Sequence, residues 1–252
     1  MSRVAVITGA SGGIGKEVAR QFAADGTKVV VNYFTSEKAA EGLASEINGK
    51  SPDMAFACRA DLSKYQEVEE MAKKTIRKWG QIDVLVNSAT GGPINTPFRT
   101  VDSFSGVPIV ETEERDWDWI VDATLKNVFN CIKAIAPQMI KQKEGHIISV
   151  GAAPAIIGRE GWAAFNAAKG GLIALSRSAA RELGKHNIKV NIVNPGYIAH
   201  PGRDWEFSQK VADSTLLKRF QTAEEFSRFI IFLSKMQNVS GQNFFVESRI
   251  II

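Results

Sequence analysis

The fold of this chain is decided by residues 4–15, which read Val-Ala-Val-Ile-Thr-Gly-Ala-Ser-Gly-Gly-Ile-Gly. The first four residues form a short apolar run that is typical of a buried parallel strand. A glycine-rich loop follows, and residues 16–24 then carry the periodicity of an amphipathic helix. Glycines permit a tight turn and a close approach of backbone amides to a pyrophosphate, whose charge a helix N-terminus stabilises.

This order of strand, loop and helix predicts a dinucleotide site, and the alternative is a glycine turn retained only for packing. The expected contacts are Gly9, Ser11, Gly12, Gly13, Ile14 and Gly15. In such folds an acid at the end of the second strand binds a free ribose hydroxyl, and a base there binds a 2′-phosphate. Residues 32–36 offer neither, although Tyr33 is a candidate contact. The hydroxyls of Thr35 and Ser36, with Lys16 nearby, slightly favour NADP over NAD, and both stay open.

The rest of the chain continues the alternation of short apolar runs with longer amphipathic segments, which predicts an α/β fold. We expect a Rossmann-like, doubly wound sheet of seven parallel strands with helices on both faces. The predicted strands are Val4–Thr8, Lys28–Tyr33, Met54–Cys58, Asp83–Val86, His146–Val150, Lys189–Val193 and Asn243–Val246. No composition break divides residues 1–252, so a single domain is expected. Residues 90–112 lack periodicity and predict a long inserted loop, either a functional lid or a neutral insertion.

Composition restricts the possible functions. The 252 residues are 44% hydrophobic and 23% charged, as in a globular chain, and no apolar run reaches the roughly 18 residues of a membrane span. The 31 basic and 27 acidic residues are interspersed, which argues against nucleic-acid binding. Three isolated histidines and two distant cysteines give no metal-site spacing. The N-terminus has no export signal, so a cytoplasmic location is expected.

Three further motifs resemble the short-chain dehydrogenase/reductase family over essentially the whole chain. They are Asp61-Leu62 after the third strand, Asn87-Ser88-Ala89-Thr90 after the fourth and Pro195-Gly196-Tyr197-Ile198 after the sixth. The resemblance implies further cofactor contacts at Asp61, Leu62, Asn87, Ala89, Pro195, Gly196 and Ile198.

The family's chemistry uses a Tyr as general acid/base, a Lys four residues later that lowers the pKa of the Tyr and binds the nicotinamide ribose of the cofactor, a Ser that polarises the carbonyl, and an Asn that anchors a proton-relay water. Aligned with that pattern, Lys169 is retained, while Phe165, Ala152 and Thr124 occupy the Tyr, Ser and Asn positions. His200 stands where the family usually has a Thr that binds the carboxamide. Trp205 and Phe207 lie in the segment that forms the family's substrate lid, so these three are candidate substrate or lid residues.

Loss of a positioned general acid typically costs ~10²–10⁴ in rate. The first hypothesis is therefore an inactive subunit, a pseudoenzyme that partners an active hydroxyacyl-CoA or ketoacyl-thioester dehydrogenase. The alternatives are an active NAD(P)H-dependent reductase of a ketone or enoyl thioester that uses Lys169, and a dinucleotide-binding sensor. The family resemblance implies a homo- or hetero-tetramer and a small-molecule or acyl-CoA substrate. The segment Arg249-Ile250-Ile251-Ile252 is apolar enough to favour burial, either against a neighbouring subunit or against its own domain.

Overall fold

The computed structural model describes residues 2–90, 106–198 and 205–248, apart from the side chains of residues 205–208. Within these residues a seven-stranded parallel sheet has the order β3-β2-β1-β4-β5-β6-β7. The strands are β1 Val4–Ile7, β2 Lys28–Tyr33, β3 Ala55–Arg59, β4 Val84–Asn87, β5 Gly145–Val150, β6 Ile188–Pro195 and β7 Asn243–Val246. The predicted fold class is confirmed.

The predicted strand ends differ from the observed ends where pairing extends beyond the apolar run. Strand β6 continues to Pro195, two residues past the predicted Val193, because Asn194 and Pro195 still pair with β7. Strand β3 begins at Ala55 and ends at Arg59, which pairs with the last residue of β2. Neighbouring strands therefore decide where each strand ends.

Nine α-helices connect or follow the strands in the described parts of the chain. They are α1 Gly13–Ala24, α2 Glu37–Lys50, α3 Tyr65–Trp79, α4 Glu114–Val121, α5 Asn127–Gln142, α6 Pro154–Ile157, α7 Ala163–Leu183, α8 Trp205–Ser214 and α9 Ala223–Leu233. One π-helical turn, Asp122–Lys126, joins α4 to α5. None of the helices in these segments is long and apolar enough to cross a membrane.

Two hydrophobic cores cover the two faces of the sheet. One face packs against α1, α2 and α9 around Phe22 and Phe226, and the other packs against α3, α5 and α7 around Met71 and Met139. Strands β1, β2 and β4 contribute residues to both cores because successive side chains point to opposite faces. This double burial explains why their sequences read as continuous apolar runs.

The predicted insertion at 90–112 lies mostly outside the described residues, since 91–105 are not described. At its far end a short 3₁₀ turn spans Ile109–Glu111. The Val107 amide donates to the Gly161 carbonyl at 2.8 Å, which holds this end of the insertion beside the start of α7. The lid function of the insertion stays a prediction.

Candidate active site

The strand order reverses between β1 and β4, so the connections after these two strands run in opposite directions. In open α/β sheets, ligands bind outside the carboxyl ends of the strands at such a reversal. The glycine loop follows β1, and residues 88–90 follow β4, which brings both predicted motifs to this place. The topology therefore assembles one cleft from segments that are distant in sequence.

At two positions of the loop, close backbone contacts leave no room for a side chain, so glycine is required. Gly9 has φ +62°, and a Cβ there would lie 2.8 Å from the Ala89 Cα. A Cβ on Gly15 would lie 2.5 Å from the Gly9 carbonyl oxygen. Gly12 is different, because a Cβ there would meet nothing within 4 Å and would point into open space. The loop is therefore packed on its inner side and open on its outer side.

Two buried polar residues hold the loop in place. The Asn32 side-chain carbonyl accepts from the Gly9 amide at 3.2 Å, and the Asn32 backbone carbonyl accepts from Ala10. The Thr8 hydroxyl accepts from the backbone amides of Ser88 and Ala89 at 2.9 and 3.0 Å. Sequence reasoning missed both roles, although a polar residue at the end of a buried apolar strand was a signal that could have found them.

The loop and helix suit a bound pyrophosphate. Helix α1 begins after Gly12 with no side-chain cap and no acidic residue in its first turn, so its amide dipoles face the cleft without competition. Gly12 and Gly13 are exposed, Ser11 and Ile14 are partly exposed, and Gly15 is buried. The residues present therefore fit the dinucleotide that the sequence predicted.

Tyr33 is the predicted contact at the ribose end of the cleft, but its side chain is buried. Its hydroxyl donates to Glu37 at 3.0 Å, and its side chain is buried in the core beneath α2. Burial, with the Glu37 contact as the next cause, raises the pKa of Tyr33. Thr35 and Ser36 are exposed beside it. These two hydroxyls face solvent, whereas the Tyr33 side chain is turned towards α2.

Asp61 and Leu62 form a turn after β3 whose polar groups are mostly engaged. Asp61 accepts from the backbone amide and hydroxyl of Ser63 at 3.0 and 2.7 Å. Leu62 is buried, and its carbonyl accepts from Asn130 on α5 at 2.8 Å. The turn is thus fixed at the edge of the cleft, where the family resemblance expects an adenine contact.

Lys169 is buried beside the carboxyl end of β5. Its side chain lies on α7, it is 5% exposed, and its Nζ donates to the Val150 carbonyl at the end of β5 at 2.6 Å. Burial lowers the pKa of Lys169 to about 8. A buried lysine with a lowered pKa in a cleft is a typical feature of a functional site.

Phe165 lies one helical turn before Lys169 and belongs to an apolar cluster. Its ring packs edge-on against Trp162 at 5.3 Å, and Ile120 of α4 and Ala152 complete the contact. The Lys169 Nζ is 5.8 Å from the centroid of the Phe165 ring. The sequence placed Phe165 and Ala152 near Lys169, but Trp162 and Ile120 were missed because no local motif marks them.

Thr124 lies in the π-helical turn and is buried. Its hydroxyl is 3.2 Å from the hydroxyl of Thr90, which follows β4. Asn127, one turn later, donates its side-chain amide back to the Ala123 carbonyl at 3.0 Å. The Asn127 side-chain amide therefore binds its own helix. The hydroxyls of Thr124 and Thr90 form a polar pair near the end of β4.

Asn87, at the end of β4, and the residues after β6 lie at the carboxyl end of the sheet. Asn87 donates to the Ser149 hydroxyl at 3.2 Å, and both side chains are buried. The Gly196 amide donates to the side-chain carbonyl of Gln221 at 2.8 Å, and Ile198 forms a β-bridge with Gln221. Pro195, the last residue of β6, brings Gly196 and Ile198 to the carboxyl end of the sheet.

Three predicted substrate or lid residues are not placed. His200 lies outside the described residues, and so do the side chains of Trp205 and Phe207, although α8 begins at Trp205. Within the described residues no group of three His, Cys, Asp or Glu side chains could hold a metal ion.

A glycine loop at the strand reversal and a buried lysine on α7 are typical of dinucleotide-binding oxidoreductases of the doubly wound α/β class. The family model described as short chain dehydrogenase matches residues 3–210. The chain belongs to the short-chain dehydrogenase/reductase family. Membership implies NADP or NAD as the cofactor.

Proteins that are similar over the full length of this chain share one activity in their names. Two are named 3-oxoacyl-(acyl-carrier-protein) reductase FabG. The one from Staphylococcus epidermidis is 36% identical over 98% of this chain and 98% of its own length. The one from Staphylococcus aureus is 36% identical over 98% and 97%. A protein named 3-oxoacyl-(acyl-carrier-protein) reductase from Synechocystis is 34% identical over 100% and 98%.

These relatives overturn the first functional hypothesis. The inactive partner subunit was inferred from the residues at positions 124, 152 and 165 alone. Relatives that match the chain from end to end are named as reductases. The expectation of a pseudoenzyme was therefore wrong, because differences at single positions were given more weight than similarity over the whole chain.

Proposed function

We propose that this protein is an active NAD(P)H-dependent reductase of a ketone in a thioester substrate, with Lys169 as the proton donor. The observation that carries the proposal is the buried Lys169 ammonium at the carboxyl end of β5, hydrogen-bonded to the Val150 carbonyl at 2.6 Å. The relatives named as 3-oxoacyl reductases support the reaction type and the substrate class.

Reduction of a ketone needs a hydride at carbon and a proton at oxygen. A bound dihydronicotinamide would supply the hydride. As the carbonyl π-bond breaks, its electron pair moves to oxygen, and the Lys169 ammonium transfers one proton to that oxygen. The neutral amine then regains a proton from solvent. The Val150 carbonyl orients Nζ by accepting one of its three N–H groups.

The lowered pKa of Lys169 makes this proton transfer more favourable. A lysine near its ordinary pKa of about 10.4 is a weak acid, whereas one with a pKa of about 8 transfers its proton more readily. The group remains mostly protonated at pH 7, as a proton donor must be. Burial lowers the pKa of Lys169, so the exclusion of water around Nζ makes the ammonium group a stronger acid.

The apolar cluster beside Lys169 supports a thioester carrying an acyl chain. Phe165, Trp162 and Ile120 form a buried apolar cluster, and the Lys169 Nζ lies 5.8 Å from the centroid of the Phe165 ring. Such a wall excludes water and favours an apolar group next to the reacting carbonyl. An enoyl thioester shares this chemistry, so the test must separate the two substrates.

The test measures oxidation of NADPH and NADH by the purified chain with acetoacetyl and crotonyl thioesters of CoA and acyl carrier protein. We expect turnover with the acetoacetyl thioesters. Lys169→Met should lower kcat by about 10²–10⁴-fold while dinucleotide binding persists. Lys73→Met is the control, since Lys73 pairs with Glu69 on the outer face of α3. No turnover by the wild-type chain, or full turnover by Lys169→Met, would contradict the proposal.

The proposed assembly is a homo-oligomer of the 27.5 kDa chain, with a homotetramer as the expected form. Exposed aromatic side chains support it, since Phe129 on α5 and Phe232 on α9 are 47% and 58% exposed. Light scattering on the purified chain tests it, and a monomeric mass would contradict it.

A further inference from the structure

An arginine and an aromatic ring form an exposed pair at the ribose end of the cleft. The Arg59 guanidinium lies over the Phe34 ring, 5.3 Å from its centroid, and Phe34 is 49% exposed. Residues 32–36 at the end of β2 contain no base. Arg59 lies at the end of a different strand, so the sequence around β2 does not reveal it.

Strand pairing places Arg59 beside the end of β2, where folds of this class recognise the adenosine ribose. Arg59 pairs in register with Tyr33, so both residues lie at the carboxyl ends of neighbouring strands. Asn32, one residue earlier on β2, binds the Gly9 amide of the glycine loop. The guanidinium is thus near the end of β2, and the exposed residues Thr35 and Ser36 follow Phe34 directly in the chain.

The charge of Arg59 is available to an anion. In the part of the chain that the structure describes, its guanidinium makes no ion pair with a carboxylate, and it lies over the Phe34 ring. The neighbouring carboxylate of Glu37 accepts from the Tyr33 hydroxyl. Ser36 begins α2 without using its hydroxyl as a helix cap, which leaves that oxygen able to bind a ligand.

We propose that Arg59, held over Phe34 and assisted by the Ser36 hydroxyl, binds the 2′-phosphate of NADPH and gives the protein its preference for NADPH over NADH. The inference rests on the proposed function in requiring a bound dinucleotide. A guanidinium binds a phosphate through two parallel N–H groups, and stacking on an aromatic ring orients that plane in advance. Gly12 leaves the glycine loop without a base, so Arg59 supplies the cation from β3 instead.

The test measures binding of adenosine 2′,5′-bisphosphate and 5′-AMP to the purified chain by calorimetry, without turnover. We expect the wild-type chain to bind the bisphosphate at least about tenfold more tightly than 5′-AMP. Arg59→Met should remove this preference and leave the affinity for 5′-AMP unchanged. Arg59→Lys should retain part of it. Arg77→Met is the control, because Arg77 pairs with Glu70 on the outside of α3.

Three outcomes would overturn the Arg59 site. They are equal affinities of the wild-type chain for the two nucleotides, tighter binding of 5′-AMP, and an equal loss of both affinities in Arg59→Met. Reductase activity with NADH alone would also overturn it, and would leave the proposed reductase standing. Binding of the bisphosphate through Arg59 without turnover of any thioester would support the site and overturn the proposed reaction instead.

Discussion

The two ends of the cleft are built differently. The nucleotide end is held by backbone groups and buried amides: Gly9 packs against Ala89, and Asn32 binds the loop. The proposed substrate end has one buried cation, Lys169, next to an apolar cluster that contains Phe165. The first arrangement depends on glycines that no other residue can replace. The second depends on a desolvated charge, whose chemistry is set by what surrounds it.

The largest expected effect is at the nucleotide end. Gly15→Val should weaken dinucleotide binding by about 100-fold or more, because even a Cβ at this position would lie 2.5 Å from the Gly9 carbonyl oxygen. Calorimetric titration with NADPH measures it. Gly42→Ala is the control, since a Cβ there meets nothing within 4 Å, and alanine inside α2 should leave binding unchanged. Tight binding by Gly15→Val would show that the loop tolerates displacement.

The pH dependence tests the substrate end. Lys169 must be protonated to donate, so kcat should be constant below its pKa of about 8 and fall up to about tenfold per pH unit above it. Steady-state rates from pH 6 to 10, about two units on either side of this pKa, measure the profile. A rate that rises through this range would contradict the assigned role.

Stability should change with pH in the opposite direction. The unfolded chain holds a proton on Lys169 up to its ordinary pKa of 10.5, whereas the folded chain releases it above about 8. The unfolded state therefore binds more protons between these values, and the contribution of Lys169 to the free energy of unfolding rises with pH there. Urea titrations of wild type and Lys169→Met across this window measure the difference, which should disappear in the variant.

A smaller effect should follow from restoring a hydroxyl at the substrate end. Phe165→Tyr places a second acid one helical turn before Lys169, and kcat should rise by about tenfold. Phe56→Tyr is the control, because the Phe56 ring packs against Trp79 on the edge strand β3. Unchanged turnover in Phe165→Tyr would mean that Lys169 alone carries the proton.

The smallest expected effect concerns the hydroxyl pair formed by Thr124 and Thr90. Thr124→Val removes one partner of the hydroxyl pair with Thr90 and should lower the free energy of unfolding by about 1 kcal/mol. Thermal unfolding measures this loss. A fall in kcat much larger than the fall in stability would instead place the pair in the reaction.

The sequence predicted the fold well because its evidence was local. The apolar runs of β1, β2 and β4 and the glycine loop are each read from neighbouring residues, and strand periodicity is set by the backbone. The site was predicted in part. Lys169, Phe165, Ala152 and Thr124 were found by their spacing in the family pattern, but the pattern alone led to the wrong conclusion about activity.

The amino-acid sequence by itself determined the doubly wound sheet, the glycine loop and the position of Lys169, because each depends on periodicity or on fixed spacing along one helix or turn. Only the tertiary structure decided that Arg59 lies over Phe34, that Asn32 holds the loop, and that Trp162 covers Phe165. The first two contacts join residues on separate segments, and the third depends on how the start of α7 packs. They are therefore set by strand register and side-chain packing, which local sequence patterns do not contain.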